Sequence, residues 1–249
     1  MEYPILEFEE EKVAKIEPSV LVREKLPSNK LVITFFGEVV EELWLQEKIE
    51  MIRIIGGENP LNVYKFVDSD VLLIHGKVGC PACGGDLDLL HAYGINRVMF
   101  CGGGGVLDKD ISVGKILVVD GAIRDEGFSY HYIEPSRYIY TDKETTNKIA
   151  NYLETQKIEY IRGLTWTTDA IFRETEKRIK KRKEEGAKMV EMEQAGCIAV
   201  SQFRGFKYGA LIYGGDDVSG DEWDRRGWRS IKDVRRELVL ICKEMVQII

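Results

Sequence analysis

Short apolar runs rich in β-branched and aromatic residues recur along the chain and predict buried strands. The seven clearest runs are LVITFF from Leu31, NVYKFV from Asn62, DVLLIH from Asp70, NRVMFC from Asn96, KILVVD from Lys115, YIRGLTWTT from Tyr160 and YGALIYGG from Tyr208. Between several of them lie segments with the apolar spacing of helices, namely 39–52, 82–93, 145–153, 172–185, 194–203 and 230–249. This alternation predicts an α/β fold whose sheet is covered on both faces.

The sequence gives no sign of an internal domain boundary. No repeat, Pro/Ser-rich linker or low-complexity tract interrupts the 249 residues, and ETEKRIKKRKEEG from Glu174 is typical of a solvated helix face. A hydrophobic content of 44% suits a sizeable buried core. We therefore expect a single domain over residues 1–249.

The overall charge indicates which partners to expect. The 42 acidic and 35 basic residues leave a formal net charge of -7, so that the whole-molecule field repels nucleic acid and anionic membranes. The N-terminal residues lack a basic stretch followed by an apolar one, and no window approaches the roughly 18 apolar residues of a membrane span. We expect a cytoplasmic protein that binds a small molecule.

The five cysteines raise the possibility of redox chemistry. They are odd in number and sparse, which argues against a disulfide framework and indicates reduced thiols. Cys80 and Cys83 form a CxxC motif that opens a predicted helix, where a helix N-terminus can lower a thiol pKa as in thioredoxin-like proteins. Because the motif lies inside a large α/β chain, packing at the helix start is the favoured interpretation and redox activity a minor alternative.

Neither a metal nor an organic cofactor is expected. The histidines His75, His91 and His131 lack the paired spacing that supplies three or four metal ligands. The glycine run from Gly102 to Gly105 follows a predicted strand but matches neither the P-loop nor the dinucleotide-binding fingerprint. It is either a ligand cradle of backbone N–H groups or a tight structural turn.

Two acidic segments contain candidate substrate-binding or catalytic residues. Glu191 and Glu193 flank Met192 at the start of a predicted helix, where acidic residues are commonly only capping charges. Asp216 and Asp217 follow a predicted strand, and ligands of α/β sheets bind at the carboxyl ends of strands. An Asp at such a position is either a general acid or a turn residue.

Taken together, these segments resemble one enzyme family. GGGGVLDKDISVGKILVVDGAIRDEGFSYHY from Gly102 is similar to the glycine loop, the "D-I-x-V-G-D" turn and the "R-x-x-G-x-S-x-H" stretch of the uridine phosphorylase and purine nucleoside phosphorylase family. MVEMEQA from Met189 resembles its "V-E-M-E-x-A" helix, and TTDAIF from Thr167 its "S-S-D-x-F-Y" stretch. The resemblance implies a mixed central sheet flanked by helices, an active site at strand ends, and a homo-oligomer, either a dimer or a hexamer.

The resemblance also implies roles for individual residues. It places Met192 and Glu193, with the neighbouring Glu191, at the ribose and makes Asp216 the general acid that protonates the departing base. The remaining substrate-binding positions that it implies are Ile171, Phe172, Thr175 and Lys177, and the implied phosphate-binding positions are Gly37, Gly102, Gly103 and Arg124. Thr175 and Lys177 replace the Gln and Arg with which the uridine branch reads uracil, so the preferred base stays open.

The phosphate site departs most from the family pattern. Glu41 stands in the loop that supplies the family's first phosphate arginine, while Phe100 and Gly103 replace a second arginine and a threonine. A phosphate about 4 Å from Glu41 would meet roughly 1 to 4 kcal/mol of repulsion per unit charge. Lys77 and Arg124 are the nearest basic candidates by motif position.

The expected function follows from these matches and departures. We expect a nucleoside phosphorylase that cleaves the N-glycosidic bond of a purine or pyrimidine nucleoside with phosphate, giving base and sugar 1-phosphate. A nucleosidase that uses water is the alternative, because the family's phosphate ligands are missing. A non-catalytic nucleoside-binding protein and a CxxC redox protein are more distant alternatives.

Overall fold

A computed structural model describes residues 3–56, 59–227 and 232–249. Ten strands lie in this part of the chain: β1 (Lys30–Thr34), β2 (Ile49–Ile55), β3 (Leu61–Phe66), β4 (Leu72–His75), β5 (Arg97–Val106), β6 (Ile116–Asp125), β7 (Tyr138–Tyr140), β8 (Tyr160–Thr168), β9 (Ala187–Glu191) and β10 (Lys207–Asp217). The α-helices are α1 (Gly37–Leu45), α2 (Cys80–Ala92), α3 (Lys143–Thr155), α4 (Glu176–Glu184), α5 (Gln194–Arg204) and α6 (Lys232–Met245). Short 3-10 turns lie at Pro4–Leu6, Pro18–Leu21, Ser129–His131 and Ile171–Arg173.

Five of the strands close into a ring of pairings. Strand β5 pairs with β10 in parallel and with β9 in antiparallel orientation, and β9 continues through β8 and β6 back to β10. From β5 the sheet also extends outwards in the order β1, β4, β3 and β2, so that β2 is an edge strand. Parallel and antiparallel pairs coexist, which confirms the mixed sheet predicted from the sequence.

Helices cover both faces of this sheet. On one face, α2 and α5 bury residues such as Leu87, Leu90 and Ile198 against β1, β4 and β5. On the other face, the core contains residues of α1, α3 and α6, among them Leu43 and Leu238. Because both faces are covered, the central strands are almost uniformly apolar. Within the described residues, no helix has the length and apolar character needed to cross a membrane.

The N-terminal arm, residues 3–27, runs over the surface formed by α2 and α5. Lys12 lies over the Phe203 ring at 5.8 Å from its centroid, and Glu17 pairs with Arg204. Leu26 donates its backbone N–H to Tyr93 at 2.9 Å, which fixes the end of the arm beside α2.

Two predictions about the elements were wrong. The helix predicted over 39–52 ends at Leu45, because Glu47 adopts a positive φ of 54° and the chain then enters β2. The glycines from Gly102 to Gly105 form no loop and belong to β5, paired with β10 and β9. A Cβ on Gly104 would stand 2.9 Å from the carbonyl oxygen of Val190, so the approach of β9 requires glycine there.

Candidate active site

Glu191 ends β9 and caps the helix that follows. Its Oε2 accepts hydrogen bonds from the backbone N–H groups of Glu193 at 2.6 Å and Gln194 at 2.7 Å, and its Oε1 accepts one from the Thr167 hydroxyl at 2.5 Å. These bonds satisfy N–H groups at the start of α5 that have no acceptor within the helix. The capping interpretation of Glu191 is confirmed, and its carboxylate has little capacity left for a ligand.

Glu193 lies in the connection between β9 and α5 and reaches across to α2. Its Oε1 accepts the backbone N–H of Gly79 at 2.7 Å, and only 6% of the residue is exposed. Burial, reinforced by the negative charge of Glu191, raises the pKa of Glu193 above its usual range. Met192 beside it is half-buried. A carboxyl in this position can exchange hydrogen bonds with a sugar hydroxyl while the thioether packs on the ring.

Thiols form the packing beneath this connection. Cys80 Sγ accepts the backbone N–H of Gly196 at 3.3 Å, and Cys197 Sγ lies 3.6 Å from Cys83 Sγ. All five cysteines are buried and unpaired by disulfides, and burial raises the pKa of Cys80 well above its usual value. The α2 N-terminus therefore does not activate Cys80 as a thioredoxin-like thiolate, and packing is the role that the structure supports.

A cleft of about 440 Å³ opens between the start of α1 and the end of β4. Gly37, His75 and Lys77 line it, and the His75 ring packs 3.1 Å from the point where a Cβ on Gly37 would lie. Glu41 lines the same cleft. Since the first N–H groups of a helix have no intrahelical acceptor, this end of α1 can donate hydrogen bonds to an anion.

Lys77 also borders a second cleft of about 280 Å³ along α2. Its ammonium donates to the Asn59 carbonyl oxygen at 2.9 Å and pairs with Asp86 at 3.1 Å. Burial raises the pKa of Asp86, while Lys77 acts in the opposite direction. Lys77 is therefore a cation at the cleft whose charge is partly neutralised.

Asp216 lies near the end of β10 with its carboxyl hydrogen-bonded to an indole. Trp223 Nε1 donates to Asp216 Oδ2 at 2.6 Å. Its negative charge is one cause of the raised pKa of Glu174, a half-buried residue just after the 3-10 turn Ile171–Arg173. Two carboxyl groups thus occupy the region where the resemblance places the base.

The other predicted substrate residues surround Glu174 in sequence. Ile171 is 54% exposed and Phe172 is 96% exposed, while Thr175 precedes α4 and Lys177 lies in its first turn, both exposed. These side chains have surface available for a ligand, and their roles stay predictions. Sequence reasoning missed Glu174, although it lies between quoted residues.

The remaining predicted phosphate-binding residues differ in exposure and in hydrogen bonding. Gly102 is buried within β5, whereas Gly103 is exposed, with the Tyr213 ring 3.1 Å from the position of a Cβ. Arg124 is 4% exposed, and four of its five N–H groups donate to Ser129, Ser136 and two carbonyl oxygens. Arg124 therefore anchors the segment 129–136, and the prediction that it binds phosphate has little geometric support.

Comparisons with known proteins identify the family of this chain. A family model described as the phosphorylase superfamily matches residues 31–246. A guanosine phosphorylase of Halorubrum lacusprofundi is 25% identical over 165 residues, which covers 64% of this chain and 68% of the relative.

Solved structures agree on the fold. A uridine phosphorylase from Vibrio fischeri has a TM-score of 0.73 at 18% identity and covers 90% of this chain and 98% of its own. An AMP nucleosidase from Bacteroides thetaiotaomicron has a TM-score of 0.73 at 19% identity, with 92% of both chains covered. At these identities the likeness shows the fold, and the names of the two proteins include both a phosphorylase and a nucleosidase.

Proposed function

The chain belongs to the phosphorylase superfamily, and we propose that it is a nucleoside phosphorylase. It would cleave the N-glycosidic bond of a purine or pyrimidine nucleoside with phosphate, giving base and sugar 1-phosphate. The observation that carries the proposal is the family match over 31–246, which includes every residue of the candidate site. The guanosine phosphorylase of Halorubrum lacusprofundi supports the same reaction class.

The geometry supports a division of the site into three parts. Met192 and Glu193 hold the sugar, the carboxyl groups near Asp216 face the base, and the cleft lined by Gly37, His75 and Lys77 receives the phosphate. Bond cleavage passes through an oxocarbenium-like transition state, in which fixed hydrogen-bonding groups stabilise developing charge. The phosphate oxygen then bonds to the sugar carbon on the face opposite the departing base.

Hydrolysis is the second candidate, favoured by the charges at the cleft. Glu41 lines the cleft and Lys77 is paired with Asp86, so the net positive charge offered to a phosphate dianion is small. Water needs no such charge. The name of the AMP nucleosidase from Bacteroides thetaiotaomicron is consistent with this alternative on the same fold.

One experiment separates the two reactions. Purified protein is incubated with purine and pyrimidine nucleosides, with and without phosphate, and the sugar product is identified. Phosphorolysis predicts sugar 1-phosphate and a rate that saturates with phosphate. Free sugar at a rate indifferent to phosphate would establish a nucleosidase, and nucleoside binding without either product would establish a binding protein.

The assembly and location are further parts of the proposal. We infer a cytoplasmic homo-oligomer, a dimer or a hexamer, that acts on small molecules and not on nucleic acid or membranes. The N-terminal arm supports an interface, because Val13, Ile16 and Val20 are each more than 70% exposed. The molar mass in solution, measured by light scattering, tests the oligomer.

A further inference from the structure

Helix α4 carries a concentration of positive charge in a protein whose formal net charge is -7. Its sequence, EKRIKKRKE, contains six basic and two acidic residues. Four of the basic side chains are exposed, namely those of Lys177, Arg178, Lys180 and Lys181. Within residues 3–56, 59–227 and 232–249, no carboxylate pairs with these four, whereas Arg182 and Lys183 do form ion pairs. Their charge is therefore available to a partner.

The N-terminal arm carries the opposite charge. Residues 7–11, the acidic run, read EFEEE, and all four glutamates are exposed. After the acidic run, the arm continues to Lys12, which lies over the Phe203 ring of α5. No ion pair joins the acidic run to any residue in the described part of the chain. The acidic run and α4 are thus oppositely charged surfaces that do not neutralise each other within one molecule.

Exposed apolar side chains lie between the acidic run and α4. Ile5 Cδ1 lies 3.2 Å from the position of a Cβ on Gly127, and the Gly127 N–H donates to Asp169 Oδ2 at 2.9 Å. The 3-10 turn Ile171–Arg173 follows Asp169 closely and leads into α4, so the start of the arm and this turn lie on the same side of the molecule. The exposed apolar residues of the two segments, the apolar centre, are Tyr3, Ile5, Leu6, Ile171 and Phe172.

The three patches have an order that a two-fold axis can use. From the apolar centre the arm leads towards Phe203 of α5, whereas α4 packs through Ile179 on the cluster that contains Trp166 of β8 and Val190 of β9. The surface therefore has an acidic end, an apolar centre and a basic end. In a two-fold interface both copies use the same surface, and each patch meets its counterpart across the axis. An axis through the apolar centre places the acidic run of each copy on α4 of the other.

We propose that this surface is a two-fold interface between two copies of the chain, in which the acidic run of one copy binds α4 of the other. This inference rests on the homo-oligomer of the proposed function and not on the nucleoside reaction. A second copy fits because it supplies both charges in the required order and also covers the apolar centre, where Phe172 is 96% exposed. A nucleic acid or an anionic membrane that approached α4 would be repelled by the acidic run.

The test reverses the charges on each side separately. One variant carries Lys180→Glu and Lys181→Glu on α4, and the other carries Glu10→Lys and Glu11→Lys in the acidic run. Each variant alone places like charges at both contacts, so the dissociation constant of the dimer should rise about 10-fold or more. Mixed in equal amounts, the two variants regain opposite charges at both contacts and should form a heterodimer. Light scattering over a range of protein concentrations measures the mass of each sample.

Lys143→Glu with Lys148→Glu on α3 is the matched control, because it changes the net charge as much as the α4 variant does and should leave the mass unchanged. Melting curves show whether each variant is folded. A wild-type oligomer whose mass neither variant lowers would overturn this interface and leave the homo-oligomer in place. Folded variants whose lowered mass is not restored by mixing would also overturn it. A monomeric wild-type protein would overturn the interface and the homo-oligomer together, while the sugar product would still decide the reaction.

Discussion

At the residue scale, Glu193 is the side chain on which the proposed sugar binding depends most. Glu193→Gln should weaken ribonucleoside binding most at alkaline pH, where Glu193 ionises despite its raised pKa, because hydrogen bonds to a carboxylate are about 1 kcal/mol stronger than those to a neutral amide. At that pH the expected loss in kcat/KM is roughly 5-fold. Glutamine can still accept the Gly79 N–H, so thermal unfolding should change little.

The measurement is steady-state kinetics with ribonucleosides and their 2′-deoxy forms, together with a melting curve. The 2′-deoxy substrates are the internal control, because they lack one of the hydroxyl groups that a sugar-binding carboxylate can reach. Unchanged kinetics with every nucleoside would remove Glu193 from the site.

Individual residues of the site also show what could be predicted from the sequence. The motif around Met192 and Glu193 was placed at the start of a predicted helix, and the helix does begin at Gln194, but Glu191 still belongs to the strand β9. The sequence could not show that the Glu191 carboxyl oxygens accept N–H groups at the start of α5, or that Arg124 is buried among carbonyl oxygens. Both features depend on contacts made after folding. Glu174 was missed because its raised pKa comes from burial and from the charge of Asp216, which is distant in sequence.

At the element scale, the packing of α2 on α5 determines where Gly79 and Glu193 meet. Gly84 on α2 faces Phe128, which also packs against Gly196 of α5, and a Cβ on Gly84 would stand 2.3 Å from Phe128 Cε1. Gly85, its neighbour, has nothing within 4 Å of the same position. Adjacent glycines in one helix thus differ in whether a side chain can be accommodated.

Gly84→Ala should therefore destabilise the protein by about 1 to 3 kcal/mol through overpacking. Gly85→Ala, the matched control, should be neutral or stabilising by up to about 1 kcal/mol, because alanine favours helix more than glycine does. Chemical denaturation of both variants measures the difference in the free energy of unfolding. Equal effects of the two substitutions would show that Phe128 packs against α2 more loosely than the structure indicates.

Elements were predictable where the chain is buried on both faces. All seven predicted strands correspond to observed strands, since central strands are long apolar runs. The strands β2, β7 and β9 were missed: β2 lies at a sheet edge with mixed exposure, β7 has only three residues, and the end of β9 was assigned to a helix motif. The glycine run was interpreted as a ligand cradle or a tight turn, but the approach of β9 and β10 requires glycine inside a strand.

At the scale of the whole molecule, a net charge of -7 opposes the approach of phosphate, so local cations must counteract it. Lys77 is the lysine that borders both clefts. Lys77→Met should raise the KM for phosphate about 10-fold or more, since a charge-assisted hydrogen bond contributes about 1.5 to 3 kcal/mol. The KM for the nucleoside should stay nearly unchanged.

Two further variants should shift the KM for phosphate in the opposite direction. Asp86→Asn frees Lys77 from its ion pair, and Glu41→Gln removes the acid that lines the same cleft, so each should lower the KM for phosphate. Lys65→Met, which breaks only an exposed pair with Glu50 on β2, is the control and should change neither KM. Opposite shifts for Lys77→Met and Asp86→Asn, measured as initial rates against phosphate, would place the anion at Lys77. If all four variants form free sugar at rates indifferent to phosphate, the cleft admits water and the protein is a nucleosidase.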